Sequence, residues 1–426
     1  MPKPPTFKEA AAFWAKLGCI SFGGPAGQIA LMQEELVTRK QWIGERRFLH
    51  ALNFCMLLPG PEAQQLATYC GWVLHGVRGG IVAGALFVLP SALLLWVLSL
   101  LFMMYGDLAW TRALLEGLQA AVIALVAAAL IRIGSKVLKN PAMWALAALS
   151  FVGIAVLHLP FPLIILMCGL IGGILGPLYP RLFTVLKSHG AVEHGEENLP
   201  PGRWKKSLLA AVICALLWWL PILATGLWLG WRSTQFQMGV FFSKAALVTF
   251  GGAYAVLPYV GQQAVERYGW ISAEHMLVGL GLAETTPGPL IMVLQFVGFV
   301  GAWQNPGALS PLWSATLGAA ITTWATFLPC FMWIFAFAPV VEYLRDNTRL
   351  TAALSAITAA VVGVVLQLAL WFAWHVVVPA TGGLNWFPVV LAVAAFVALV
   401  HWKKPLHLVL IACAVAALVK NWAIVL

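Results

Sequence analysis

The feature that most constrains the fold of this chain is a set of unusual motifs that occurs twice in the same order. The first set is Lys16, Phe22-Gly23-Gly24, Trp42-Ile43 and Pro59-Gly60-Pro61, and the second is Lys244, Phe250-Gly251-Gly252, Trp270-Ile271 and Pro287-Gly288-Pro289. Each motif recurs after 228 positions, as 244 − 16 and 287 − 59 show. Unrelated apolar segments do not keep these residues in one ungapped register, so we predict an internal duplication.

The composition indicates that the duplicated unit lies in a membrane. Hydrophobic residues make up 62% of the chain, charged residues 9%, and the mean hydropathy is +0.89, whereas a soluble domain has roughly 25% charged residues. Several apolar runs approach the roughly 20 residues that a helix needs to cross a bilayer, for example residues 80–104, 113–131, 208–229, 312–337 and 352–374. We therefore predict an all-α polytopic membrane protein, and the N-terminal sequence lacks the pattern of a cleaved signal peptide.

The motifs and spans divide the chain into four parts. We predict a first repeat at 1–179, a cytoplasmic linker at 180–206, a connecting transmembrane helix at 207–236 and a second repeat at 237–426. Each repeat opens with two broken or re-entrant helical hairpins, followed by about four transmembrane helices. In the first repeat the breaks fall at 23–25 and 59–61, and the later spans at 80–104, 110–131, 142–158 and 161–179.

Histidine and cysteine residues do not form a metal-ligand pattern. The linker contains His189 and His194 among glutamates, and we interpret it as a solvated connection rather than a metal site. The cysteines stand singly in apolar stretches, which is typical of buried small hydrophobic residues. No disulfide, metal or cofactor is expected.

The basic residues set the expected orientation, because cytoplasmic loops of membrane proteins are enriched in Lys and Arg. If both broken segments return to the side they left, almost every basic loop of the first repeat falls on one side, and Arg112 falls on the other. The N-terminus is thus predicted to be cytoplasmic, and the extra span at 208–229 makes the second repeat run in inverted topology. Trp42 and Trp270, beside loops, are interpreted as interfacial anchors. The net charge of +10 does not indicate a nucleic-acid partner, because the basic residues are spread over short loops rather than forming one surface. Lipid is the partner that this pattern indicates.

Two inverted repeats with interrupted helices at matching positions are typical of secondary transporters whose site lies near the bilayer midplane. The Pro-Gly-Pro motifs place a proline at the first position of the next helix, so free amides would face each break. These amides belong to Glu62, Ala63 and Gln64 in the first repeat and to Leu290, Ile291 and Met292 in the second. Helix starts attract anions, and an oxyanion site is predicted there. The alternative is a simple kink.

Charged residues and glycines near the breaks complete the predicted site. Lys16 and Lys244 are candidate anion ligands, or else they snorkel to the interface. The Gly23-Gly24 and Gly251-Gly252 pairs, beside Ser21 and Thr249, offer amides and hydroxyls, or else allow close helix packing. Glu62 and Glu284 are candidates for proton coupling, or else cap a helix. Neutral donors that complete the set are Asn53, Gln64, Gln65, Thr285, Thr286 and Gln295.

At these residues the chain resembles the chromate ion transporter family in its long two-domain form. The resemblance rests on Phe22-Gly23-Gly24-Pro25-Ala26-Gly27-Gln28-Ile29, on residues 58–67 around the first Pro-Gly-Pro, on Phe87-Val88-Leu89-Pro90-Ser91, and on residues 249–258 and 281–290 in the second half. It implies an inner-membrane protein that exports chromate and confers resistance to it. Gln28 stands where many relatives have histidine, and the resemblance assigns it no role here.

Other functions remain open at this stage. A transporter of the same architecture would carry sulfate, molybdate or an amino acid, and it would form a homodimer or act alone. An enzyme is not indicated, because the chain has no His-Glu-x-x-His, Gly-x-Ser-x-Gly or Cys-x-x-Cys motif. The favoured prediction is export of a divalent oxyanion driven by the membrane potential, with proton exchange as an additional hypothesis.

Overall fold

The computed structural model describes residues 5–22, 24–183, 203–338, 348–378 and 385–425. The described residues form helices and connecting loops without a β-strand. The first repeat contains α1 (Phe7–Ile20), α2 (Gly24–Gln33), a π-helical segment (Glu34–Arg39), α3 (Glu45–Cys55), α4 (Glu62–Tyr105), α5 (Ala109–Val137), α6 (Pro141–Ala155) and α7 (Phe161–Leu175). The short α8 (Pro180–Phe183) and the long α9 (Arg203–Leu229) follow. Most of the predicted linker, together with Gly23, lies outside the described residues.

The second repeat has the same order of elements. It contains α10 (Thr234–Leu247), α11 (Ala253–Gly261), a π-helical segment (Gln262–Arg267), α12 (Ala273–Thr285), a 3-10 turn (Leu290–Met292), α13 (Val293–Gln304), α14 (Pro311–Phe337), α15 (Thr348–Val377), α16 (Trp386–Val400) and α17 (Leu406–Val425). The two π-helical segments lie 228 positions apart, since 262 − 34 and 267 − 39 both give that number. Even this rare local geometry therefore recurs in register with the motifs.

Among the described residues, five helices are long and apolar enough to span a membrane, which confirms the prediction of an all-α polytopic membrane protein. They are Glu62–Tyr105, Ala109–Val137, Lys205–Leu229, Pro311–Phe337 and Thr348–Val377. The predicted spans at 142–158 and 161–179 are shorter helices of 15 residues each, or about 22 Å at 1.5 Å per residue. Helix α6 ends at Ala155, two residues after Gly153. The turn Leu157-His158-Leu159-Pro160 follows, and His158 in it has a positive φ of 51°.

Helix α4 continues from the first Pro-Gly-Pro through a segment that we predicted as separate. His75 and Gly76 have non-helical backbone angles inside it, with φ of −133° and 65°. The aligned positions of the second repeat fall at the end of α13, before a loop that leads to α14. The kink and the loop thus occupy equivalent places.

The final helices of the two repeats are exchanged. Helix α5 packs against α16 and α17 of the second repeat, and α15 packs against α6 and α7 of the first. Glycines allow both crossings, because a Cβ at Gly117 would collide with the Cys413 carbonyl and a Cβ at Gly172 with the Ala352 carbonyl. Lys420 of α17 also donates to Glu116 of α5 at 2.7 Å. Neither repeat is a closed unit without the other.

Alanine at Gly117 or Gly172 is expected to lower stability by about 1–3 kcal/mol, because each added methyl group overpacks a helix crossing. Gly134→Ala, also in a helix, is the matched control, since its nearest neighbours would lie 3.6 and 3.8 Å away. Thermal unfolding of the purified protein in detergent measures the difference. Melting temperatures that are equal for all three variants would contradict the exchanged packing.

Candidate functional site

The two Pro-Gly-Pro motifs each pair with the opposite repeat through a backbone hydrogen bond. The N–H of Gly60 donates to the carbonyl of Thr249 at 2.8 Å, and the N–H of Gly288 donates to the carbonyl of Ser21 at 2.8 Å. Both 288 − 60 and 249 − 21 equal 228, so the second bond is the first with the repeats interchanged. Such reciprocal contacts are what a two-fold relation generates. We call these contacts the Gly60 junction and the Gly288 junction.

A second pair of contacts also has the repeats interchanged, although its two α4 and α14 residues are 239 rather than 228 positions apart, as 330 − 91 shows. Helices α4 and α14 each contain an internal Leu-Pro step, and the residues after these prolines are Ser91 and Cys330. A Cβ at Gly60 would lie 2.7 Å from the Cys330 sulfur, and a Cβ at Gly288 would lie 2.5 Å from the Ser91 Cβ. Both glycines also have positive φ, 124° and 105°, which side chains disfavour. Only glycine therefore fits either junction.

The helix starts that follow the junctions are not alike. Pro61 is the N-cap of α4, one position earlier than predicted, and the Gln65 N–H makes the first bond, to the Pro61 carbonyl at 3.1 Å. The amides of Glu62, Ala63 and Gln64 therefore face the break without intrahelical partners. In the second repeat the Met292 N–H already bonds Pro289 at 2.9 Å. This tighter turn leaves the amides of Leu290 and Ile291 without an intrahelical partner. The side chains of both residues are buried.

The two candidate carboxylates have different surroundings and are not related by the repeat. Glu284 accepts a hydrogen bond from the Tyr254 hydroxyl. Glu62 is half-buried at the start of α4, and its carboxylate has no hydrogen-bond partner among the residues that the structure describes. Position 62 corresponds to Leu290, since 62 + 228 = 290. A negative charge on Glu62 therefore lies at the Gly60 junction and has no counterpart at the Gly288 junction.

The glycine pairs provide backbone conformation rather than close helix packing. Gly24, Gly251 and Gly252 have φ of 68°, 78° and 93°. A Cβ would meet nothing within 4 Å at Gly24 or Gly252, and only the Thr358 methyl at 3.8 Å at Gly251. These residues therefore end one helix and begin the next.

The two lysines lie outside the buried junctions. Lys16 and Lys244 are exposed on α1 and α10. Lys16 lines a surface groove of about 400 Å³ together with Lys40, Glu9 and Glu35. Both carboxylates have donors in their own segments, because Glu9 accepts from the Thr6 N–H at 2.8 Å and Glu35 pairs with Arg39 at 3.0 Å. Within the described residues neither Lys16 nor Lys244 has an acidic partner, so both ammonium groups are free, that of Lys16 at the groove and that of Lys244 on the surface of α10.

Trp270 is a packing platform, and its interpretation as an interfacial anchor was wrong, whereas that of the half-buried Trp42 stays a prediction. Trp270 is 3% exposed and stacks on Tyr268 with ring centroids 4.2 Å apart. In the first repeat the corresponding Lys40 lies over the ring of Trp42 at 4.9 Å. Tyr268 of the second repeat thus occupies the position that Lys40 occupies in the first.

Sequence reasoning missed two polar residues at the Gly288 junction, Gln28 and Ser91. The Gln28 side-chain amide donates to the carbonyl of Gly288 at 2.5 Å and to that of Ser21 at 3.3 Å. Ser91 follows the internal proline of α4 and contacts Gly288, as described above. A comparison of Leu89-Pro90-Ser91 with Leu328-Pro329-Cys330 was the signal available for Ser91.

Comparison with known proteins assigns the chain to a family. The model of the chromate transporter family matches residues 8–173 and 236–418. The chain belongs to the chromate transporter family. Its members are transporters, which confirms the prediction that this chain is not an enzyme. No solved structure matches this chain.

Relatives in this family align over most of the chain. A chromate transport protein of Pseudomonas aeruginosa is 33% identical over 370 residues, which are 86% of this chain and 80% of the relative. A probable chromate transport protein of Synechococcus elongatus is 27% identical and covers 84% of this chain and 83% of its own. A chromate transport protein of Cupriavidus metallidurans is also 27% identical, with coverage of 84% and 81%.

Gly60→Ala and Gly288→Ala are each expected to cost about 1–3 kcal/mol, because the backbone conformation is strained for alanine and the methyl group has no room. Gly44→Ala is the control, since Gly44 has ordinary φ and open space around it. Thermal unfolding in detergent and chromate transport in vesicles measure the effect. Wild-type stability of both junction variants would show that the junctions do not constrain the backbone.

Proposed function

We propose that this protein exports chromate, a divalent tetrahedral oxyanion, across the inner membrane and so confers chromate resistance. The observation that carries this proposal is the reciprocal pairing of two interrupted helices from opposite repeats. Irregular backbone at membrane depth is tolerated only where it is buried in protein or lines a cavity. Binding sites of secondary transporters are built in this way. The substrate named for relatives in P. aeruginosa and C. metallidurans is chromate, and this supports the choice of cargo.

The proposed arrangement places the two repeats in opposite orientations, with the N-terminus in the cytoplasm. The reciprocal junction contacts support a two-fold relation between the repeats. The distribution of basic loops and the single connecting helix α9 support an axis in the membrane plane. Alternating access then consists of motion of one repeat against the other around the junctions.

The membrane potential has the sign that is needed to drive export of an anion. With the cell interior negative, outward movement of two negative charges is favoured by about 4.6 kcal/mol per 100 mV, from about 2.3 per elementary charge. Proton exchange is a second proposed contribution. Its candidates are Glu62, which faces the Gly60 junction, and Glu284, which is held by Tyr254.

The test is uptake of labelled chromate into inside-out vesicles that contain the full chain, with voltage and pH gradient set separately. A lumen-positive potential is expected to accelerate uptake, and reversing its sign is expected to slow it. Collapsing the pH gradient at fixed voltage tests proton exchange, and no change would exclude it. Excess sulfate, molybdate and amino acids, added in turn, identify the cargo. Absence of chromate uptake above that of empty vesicles would overturn the proposal.

Lys16→Ala and Lys244→Ala are each expected to raise the chromate KM about tenfold at low salt, because free cationic ends concentrate an approaching dianion. The difference from wild type is expected to shrink at 0.15 M salt, where the Debye length is about 8 Å. Lys136→Ala, which removes an exposed lysine at the end of α5, is the matched control. Wild-type kinetics of both site variants would leave the lysines with an anchoring role alone.

A further inference from the structure

The Gly288 junction contains buried polar atoms that have no partner. The hydroxyl oxygens of Ser21 and Ser91 and the side-chain oxygen of Gln28 make no hydrogen bond within the described structure. All three residues are 0% exposed. Polar groups that are removed from water are normally hydrogen-bonded. The Gln28 oxygen is an acceptor, but the Ser21 and Ser91 hydroxyls can donate, so two free donors at one backbone junction indicate a ligand that accepts hydrogen bonds.

All three residues contact Gly288, Ser21 through its backbone and Gln28 and Ser91 through their side chains. Ser21 accepts the Gly288 N–H through its carbonyl, and Gln28 donates to both carbonyls. A Cβ at Gly288 would lie 2.8 Å from the Ser91 hydroxyl oxygen. One backbone residue of the second repeat is thus in contact with three polar residues of the first.

The Gly60 junction, built from the equivalent positions, has no free hydroxyl. The Thr249 hydroxyl donates to the Ala245 carbonyl at 2.6 Å, and the Cys330 thiol contacts the Thr326 carbonyl at 3.8 Å. Val256 stands at the position of Gln28, since 28 + 228 = 256. On the same helix as Ser91, the Ser99 hydroxyl donates to the Leu95 carbonyl at 2.6 Å. The Thr111 and Thr322 hydroxyls are also unpaired, but Thr322 lies against Gly298, whereas Ser21 and Ser91 belong to the Gly288 junction.

The buried side-chain atoms without a partner near the Gly60 junction cannot bind an anion. They are the side-chain oxygens of Gln64 and Gln65, which are acceptors only. Their amide nitrogens already donate, to Thr68 at 3.1 Å and to the Pro59 carbonyl at 2.8 Å. Glu62 adds a carboxylate beside the Gly60 junction, where the Gly288 junction has Leu290. A dianion is thus disfavoured at the first junction and not at the second.

We infer that the Gly288 junction alone binds the tetrahedral dianion, while the Gly60 junction is a structural hinge. The Ser21 and Ser91 hydroxyls donate to the dianion, and the Gln28 amide moves from the Gly288 carbonyl to an oxyanion oxygen. Hydroxyl and amide donors suit chromate and sulfate alike, and the starts of α2 and of the turn at Leu290 add a positive field. This inference rests on the proposed function and assigns its substrate to one of two related places.

The test is chromate and sulfate binding to the purified full chain in detergent, measured by ligand-induced thermal stabilisation. Ser21→Ala and Ser91→Ala are each expected to weaken binding about tenfold, the scale of one hydrogen bond to a charged group. Without ligand, both variants are expected to melt no lower than wild type, because each loses an unpaired buried hydroxyl. Ser99→Ala, on the same helix as Ser91, is the control and should bind as wild type. Ser91→Cys, which introduces the residue of the second repeat, replaces Ser91→Ala if that variant does not fold.

The outcomes separate this inference from the proposed function. Binding that survives in both Ser21→Ala and Ser91→Ala overturns the assignment to the Gly288 junction and leaves chromate transport untouched. Equal weakening by Thr249→Val and Cys330→Ala also overturns it, because the site would then be symmetric. A wild-type chain that neither binds nor transports chromate or sulfate overturns both proposals.

Discussion

The fold depends on one requirement, that backbone groups within a lipid bilayer find partners inside the protein. An interrupted helix leaves N–H and C=O groups that lipid cannot satisfy. In this chain each interruption is completed by the other repeat, through the bonds from Gly60 to Thr249 and from Gly288 to Ser21. The requirement explains why the motif set recurs as a whole. The Phe-Gly-Gly break of one repeat supplies the backbone carbonyl to which the Pro-Gly-Pro break of the other donates, so neither break is paired without the other.

Duplication supplies two equivalent junctions, and the substitutions between them give each a different chemistry. The first repeat contributes serines and glutamine to the Gly288 junction, while the second contributes threonine, cysteine and valine to the Gly60 junction. The hydroxyl of Thr249 is taken up by its own helix, and that of Ser21 is not. The backbone pairing is retained at both places, and the free side-chain hydroxyls are found at one. Side-chain chemistry has therefore diverged between the junctions while the backbone pairing has not.

Local features of this architecture could be predicted from sequence, and contacts between distant segments could not. The breaks at 23–25 and 59–61, the long apolar helices and the family all follow from residue type and spacing. The pairing of Gly60 with Thr249 was not predicted, because hydrophobic periodicity contains no information on which segments meet across 189 positions, the difference between 249 and 60. Trp270 was misjudged for the same reason, since it is packed against the rings of Phe241 and Phe242 on α10, a separate helix earlier in the chain. The free state of the Ser91 hydroxyl depends on a side-chain torsion, which sequence does not show.

The exchanged helices have a consequence for how the chain is made. Helices α6 and α7 leave the ribosome long before α15, against which they pack, and α5 precedes its partners α16 and α17 by an even longer stretch. Multidomain proteins generally fold their N-terminal units first during synthesis, yet here the early half has no complete interior. The packing partners of Gly117 and Gly172, at Cys413 and Ala352, are synthesised only in the later half of the chain. Nascent chains interrupted before residue 348 are consequently expected to be substrates for membrane quality control rather than half-size carriers.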